Sequence, residues 1–448
     1  MMTLAPEKLP APMDIYADRQ VPVAGGWQSL RDGLFRARLL FDSATGRLEG
    51  AADRLAQSID WSQWREGRPT VLCLERATFS KDIEELQARC DLNFVTMSAT
   101  AGKSVQERWV PPEWQMQSYF TKFFSDELAA FRPHLERFGE VLLKKASAHH
   151  PIDAILAANT DYWQDEALRR AAATLGIPFL VLCRENYTIK QDQANVLRHY
   201  SKAGFRYSGT AVAVYSETTR TIMREMGAFP EDGIWVTGAP RFDRWRDVRQ
   251  VPAETRDCVT LLSYAYPIYE AMDNFREAAA IFAEKAAKRD DLRFVLKLKK
   301  ENESTDAEAL CPSLKGSRVE MTADWPLFDL LPRSRAVVGC NSLAVAEALL
   351  TNSAVIVPAW HDALSNSATC LYHYSEPTHR KCIYFPRSAE EFSTLLDLAV
   401  RGELPAAGTL EERQACFREH LHYDAAASSS AMVERFIRHY VDQARSAS

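Results

Sequence analysis

A strand-like apolar run, Ala336 to Val338, passes into the small-residue turn Gly339-Cys340-Asn341-Ser342, and a helix-forming segment opens at Leu343. Asn and Ser cap helices well, and the N–H groups and dipole of a helix start attract anions. Asn341 and Ser342 are therefore candidates to hold phosphate. Glu347, just over one turn further on, is placed to offer a carboxylate to ribose hydroxyls. The plainer reading of the same stretch is a capped helix carrying one surface charge. Lys297, Lys299 and Lys300 close another strand-like run, in which Lys297 and Lys299 share one face. A cation there would neutralise a leaving phosphate; otherwise the three form a solvated basic turn before Glu301. Arg241 could grip phosphate with both arms of its guanidinium, or pair with Asp243 two residues away. Glu185 and Asp161 each follow an apolar run, Pro178 to Cys183 and Asp153 to Ala158. From such positions a carboxylate can take a proton from a hydroxyl. Glu185 is the first choice as general base and Asp161 the second. Their structural alternatives are an ion pair with Arg184 and a cap for the helix that follows.

The elements needed to position these groups alternate. Short apolar runs at Thr70 to Leu74, Asn93 to Met97, Asp153 to Ala158, Pro178 to Cys183, Thr210 to Tyr215 and Ile234 to Thr237 are separated by helical patterns. Those include Ser80 to Cys90, Lys122 to Ser147, Gln164 to Leu175 and Thr218 to Met226, with a loop across Glu107 to Tyr119. Continuous apolar strands between helices imply a parallel sheet covered on both faces. After a polar linker, Ala239 to Asp257, a second series predicts strands at Val259 to Ser263, Arg293 to Leu298, Arg318 to Met321, Ala336 to Gly339, Ala354 to Pro358 and Cys382 to Phe385. Its helices fall at Met272 to Lys288, Pro326 to Leu331, Leu343 to Leu350 and Ala389 to Val400, and Leu410 to His420 and Ala426 to Ala444 form the tail. The expected division is an extension over 1–68 with helical candidates at Gln28 to Leu40 and Ala51 to Trp64, a first Rossmann-like domain over 69–250, a second over 251–408, and closing helices over 409–448 that return to the first. Two such sheets face a cleft at the carboxyl ends of their strands.

At 448 residues the chain exceeds one core, which fits two domains. A net charge of -6 leaves no basic footprint for nucleic acid. Nine cysteines, without a CxxC pair, predict reduced thiols in a cytoplasmic protein and neither a disulfide framework nor a structural zinc. No stretch reaches the ~20 apolar residues needed to span a bilayer. Ala101-Gly102-Lys103-Ser104 ends like a P-loop, but its first glycine would fall at Met97. His361, Asp362 and His373 lack the close spacing of metal ligands, so no metal is expected.

Asn341 to Ala348 (NSLAVAEA) resembles the nucleotide-binding loop and helix of GT-B glycosyltransferases. Gly238-Ala239-Pro240-Arg241-Phe242-Asp243 is similar to a segment found in bacterial capsule and surface-carbohydrate transferases. Phe294 to Lys300 stands where those proteins often carry Lys-x-His-Pro, and Tyr423 to Ser429 where they carry a closing Asp-Gly. This chain has Lys299-Lys300 and Asp424-Ala425 instead. The resemblance implies an α/β fold of GT-B architecture, with a nucleotide-sugar donor in the second domain and the acceptor, with the base Glu185 or Asp161, in the first. It implies donor contacts from Gly238, Arg241, Lys297, Lys299, Asn341, Ser342 and Glu347. It further implies a glycosyltransferase without a cofactor, its acceptor a surface polysaccharide or lipid-linked glycan reached by peripheral contact with the inner membrane. The alternatives are an isomerase like UDP-N-acetylglucosamine 2-epimerase, whose Gly-Thr-Arg-Glu and Asp-Ser-Gly-Gly signatures are absent, and a non-catalytic partner in polysaccharide assembly.

Overall fold

A computed structural model describes residues 48–76, 79–110, 132–183, 197, 205–248, 250–263, 272–299, 303–340, 342–360, 371–424 and 426–447. Helix α1 (Leu48–Gln57) precedes β1 (Thr70–Glu75), α2 (Ser80–Arg89), β2 (Asn93–Ser98), α3 (Ala99–Gln106) and α4 (Arg132–Ser147). Then come β3 (Ala154–Ala157), α5 (Trp163–Thr174), β4 (Phe179–Leu182), β5 (Ala211–Val214), α6 (Glu217–Met226) and β6 (Ile234–Val236). The six strands form one parallel sheet in the order β2-β1-β3-β4-β5-β6. Strands β3, β4 and β5 are buried along their whole length, as their unbroken apolar sequences require.

A 3-10 segment, Pro240–Asp247, leads out of this sheet. The second series is β7 (Cys258–Leu262), α7 (Met272–Ala287), β8 (Arg293–Lys297), α8 (Glu303–Leu310), β9 (Val319–Thr322), α9 (Leu327–Arg333), β10 (Ser334–Val338), α10 (Leu343–Ala348) and β11 (Ala354–Ile356). Its five strands are again parallel, ordered β11-β10-β7-β8-β9. Helices α11 (Pro377–Cys382), α12 (Ala389–Arg401), α13 (Leu410–Arg418) and α14 (Ser429–Ala447) complete the chain. The fold class is thus α/β with two Rossmann-like sheets. Helix α14 returns to the first of them: Arg445 bonds Asp153 at 2.6 Å, and Arg438 donates to the Asp91 carbonyl at 2.7 Å.

Three sequence expectations are corrected. Cys382 to Phe385 is not a strand; Cys382 ends α11, and Tyr384 makes a single bridge to Ile356. Helices α3 and α8 lie where none was expected. Helix α1 stops at Gln57, short of Trp64. The polar linker packs down: Pro240, Phe242, Asp243 and Trp245 are all buried. Phe242 and Trp245 join a continuous apolar cluster that runs from Leu156 and Ala213 through Leu262 and Val337 to Val433 and Phe436. Burying each ring stabilises this junction by about 1.5–3 kcal/mol. The expected helix at Gln28 to Leu40 and most of the Glu107 to Tyr119 loop fall outside the described residues.

Candidate functional site

In a doubly wound sheet the strand order reverses at one point, and the crevice beyond the carboxyl ends of the two strands there is the natural ligand site. In the first sheet this point lies between β1 and β3, and in the second between β7 and β10. Among the described residues, Asp161 follows β3 at the first point and Ser342 and Glu347 follow β10 at the second, while Lys297 ends β8 and Gly238 and Arg241 follow β6.

On the first sheet, Asn159, Thr160 and Asp161 follow β3 and are buried; Asp161 is only 4% exposed. Arg76, just past β1, bonds Asp165 at 3.1 Å and lies 4.5 Å from the centre of the Tyr162 ring. Glu75, which the sequence reading passed over, ends β1 half-buried, and burial raises its carboxyl above the usual range. Glu185 lies outside the described residues.

On the second sheet, Gly339 leaves β10 where a Cβ would meet the Val345 and Leu262 side chains at 2.8 and 2.9 Å, so any larger residue would have to push them aside. Ser342 caps α10, its hydroxyl accepting from the Ala344 N–H at 3.3 Å. Because α10 has only six residues, its dipole offers an anion little, and any phosphate must rely on side-chain cations. Asn341 lies outside the described residues.

Those cations surround Glu347. Trp245 donates its indole N–H to Glu347 Oε2 at 3.1 Å. Burial pushes the Glu347 carboxyl up to about 7, against the opposing pull of Arg241, Lys81, Trp245 and Arg244. Lys81 is exposed at the start of α2 on the first domain, while Arg241 and Arg244 belong to the connecting segment. Lys297, at the end of β8, donates to the carbonyls of Leu298 at 2.9 Å and Ala323 at 2.6 Å. Burial, and then the charge on Lys81, lower its pKa. Lys299 has its backbone N–H bonded to Glu303 at 2.8 Å. One carboxylate and cations from both domains therefore share the space between the two sheets.

The GAPRFD segment acts differently from its local appearance. Arg241 does not pair with Asp243. Its backbone N–H and its guanidinium both bond Asp82 on α2, at 3.0 and 3.2 Å. Burial works against the Arg241 charge, but Tyr215, Asp82 and Glu347 more than compensate, and its pKa is raised. Burial likewise pushes Asp82 up, and Arg241 pulls it back. Asp243 instead receives the Ser429 N–H, the Ser430 N–H and the Ser430 hydroxyl at 2.6–2.7 Å, which makes it the anion at the start of α14. Arg246 bonds the carbonyls of Asp424 and Ala427. Gly238 has φ +72°, and a Cβ there would meet the His422 carbonyl at 2.5 Å, so this glycine serves backbone packing against the tail.

A second cluster had no counterpart in the sequence reading. His379 on α11 and Glu419 and His420 just after α13 place one potential ligand atom each within 4.8 Å of the others. Only the His-x-x-Cys and Cys-x-x-Glu-His spacings around Cys382 and Cys416 hinted at it.

No family model and no curated protein matches the chain. Among solved structures it is similar to a glycosyltransferase from Rickettsia africae, at 12% identity and a TM-score of 0.48 over 85% of this chain and 100% of that one. A putative UDP-N-acetylglucosamine 2-epimerase from Listeria monocytogenes gives 12% and 0.48, over 84% of this chain and 98% of that one. An α,α-trehalose 6-phosphate synthase from Burkholderia multivorans gives 12% and 0.46, over 85% and 100%.

Proposed function

We propose that this chain is a glycosyltransferase, moving a sugar from a nucleotide-sugar donor to a hydroxyl of a surface polysaccharide or lipid-linked glycan precursor. The observation that supports this most is Glu347 set among Lys81, Arg241 and Arg244, in the space between two parallel sheets. Ionised, Glu347 accepts bonds from ribose hydroxyls, while the cations face the diphosphate. As the bond from the sugar's anomeric carbon to the phosphate oxygen breaks, negative charge grows on that oxygen, and Arg241, Lys81 and Lys297 offset it. The acceptor hydroxyl gives its proton to Asp161 or Glu185 on the first domain. Gly238 positions the tail, Lys299 and Ser342 shape the donor side, and the nucleotide sugar is substrate rather than cofactor. Among the described residues no helix is long and apolar enough to cross a membrane, so a lipid-linked acceptor would be met by peripheral contact at the inner face of the cytoplasmic membrane.

The test is a thermal-shift panel of UDP, CMP, CDP, GDP and their sugars, followed by a transfer assay. A true donor raises the unfolding midpoint by mass action, and nucleotide release then depends on added acceptor. Interconversion of the sugar without an acceptor would favour the epimerase alternative. A chain that binds none of the panel is not this enzyme.

A further inference from the structure

The cluster at α11 and α13 lies outside the donor and acceptor crevices, and the argument for it is independent of the proposed transfer. His420 is 5% exposed, and its Nε2 is buried without a hydrogen-bond partner among the described residues. Its ring also bonds the Leu371 carbonyl, which must then engage Nδ1–H and leave the Nε2 lone pair uncovered. A buried, fixed, unpartnered imidazole nitrogen is costly unless something uses it.

His379 Nε2 lies 2.9 Å from Glu419 Oε2. The His373 peptide meets Nδ1 of His379 with its N–H at 2.9 Å and its carbonyl at 3.2 Å. The N–H contact makes Nδ1 an acceptor, so without an ion Nε2 carries the proton and donates it to Glu419; an ion at Nε2 requires that proton to move to Nδ1, where the His373 carbonyl accepts it. Tyr372 stands edge-on to both imidazoles at 5.1 Å and walls the cluster on one side. The Glu419 side chain is 38% exposed and opens it to solvent on another. Two backbone-anchored imidazoles and one carboxylate form a donor set suited to a borderline divalent ion. We propose that His379 Nε2, Glu419 Oε2 and His420 Nε2 bind a divalent cation of the zinc type, with a fourth position left for water or an oxygen ligand. The ion ties α11 to the end of α13. Because the Thr218 hydroxyl donates to the Glu419 carbonyl at 3.4 Å, it also ties that corner to the start of α6 on the first sheet.

The full chain, stripped with a chelator, is titrated with Co²⁺ and then Zn²⁺. The expected result is one Co²⁺ per chain, with the visible bands of a low-coordinate cobalt site, no thiolate charge-transfer band, and displacement by Zn²⁺. His420→Ala abolishes the band. Glu419→Gln keeps an acceptor for His379, so it folds, and it weakens binding at least ~10-fold. No cobalt band in the wild type, a thiolate-type band, or an affinity unchanged in both variants would overturn the site.

Discussion

Glu347→Gln makes the donor site stronger as a structure and weaker as a binder, and pH separates the two effects. Burial raises the Glu347 carboxyl from an ordinary 4.5 to about 7. A carboxyl whose pKa is raised on folding contributes stability that is fully present below about 4.5 and is lost as pH rises through about 7. At ~1.4 kcal/mol per pH unit the gap amounts to about 3 kcal/mol, and partial exposure brings the expectation to about 1–3 kcal/mol. Gln keeps the shape and the acceptor for the Trp245 N–H but never ionises. Wild type and variant should therefore unfold alike near pH 5, and the variant should become the more stable of the two by pH 8. The measurement is the difference between their denaturant-unfolding free energies at several pH values, which cancels every other titrating group. In a nucleotide titration at pH 8, the variant should lose ~1–3 kcal/mol of affinity as the charged hydrogen bonds to ribose disappear. A stability difference that stays flat from pH 5 to 8 refutes the burial argument. Unchanged nucleotide affinity refutes the ribose contact.

Further outcomes follow from the same geometry. Asp161→Asn and Glu185→Gln compete for one role: one of them should lower turnover ~100-fold with donor affinity intact, and normal turnover in both places the base elsewhere. Asp243→Ala removes the anion that holds the start of α14 and should cost about 2–4 kcal/mol in denaturant unfolding; its last helix should also be clipped first by protease, and a wild-type digestion pattern would contradict this. Gly238→Ala forces a Cβ against the His422 carbonyl at positive φ and should cost about 1–3 kcal/mol; an unchanged unfolding curve would show that the tail yields freely.

Both sheets were legible because their strands are short, apolar and separated by helical patterns, so period and length agreed. Cys382 to Phe385 misled because its apolar run is real, but Pro377 starts a helix whose last residue is Cys382. Helix α3 was hidden behind a failed phosphate motif, although Ser98 caps it in the usual way. At the site the residue types were readable and their partners were not. Arg241 finds its carboxylate 159 residues away, and Asp243 finds its N–H groups at 186 and 187. Local sequence offered only the wrong pairing of those two with each other. The His379, Glu419 and His420 cluster escaped for the same reason, since its members meet only when α11 packs on α13.

The connecting segment also explains why the donor carboxylate and the closing helix belong to one device. Arg241 fixes the segment to α2, and Asp243 and Arg246 fix it to the start of α14. Trp245 and Arg244 face the second domain, one bonding Glu347 and the other lying 4.9 Å from the centre of the Phe328 ring. If the second sheet rotates against the first, the Trp245–Glu347 hydrogen bond yields before the buried Arg241–Asp82 pair, whose rupture would leave an uncompensated charge. A ligand that engages Glu347 acts at the weaker of the two attachments. Oε2 already accepts from Trp245, while Oε1 accepts from none of the described residues, so ribose can bind there without displacing the indole. Donor binding then adds to that attachment instead of competing with it.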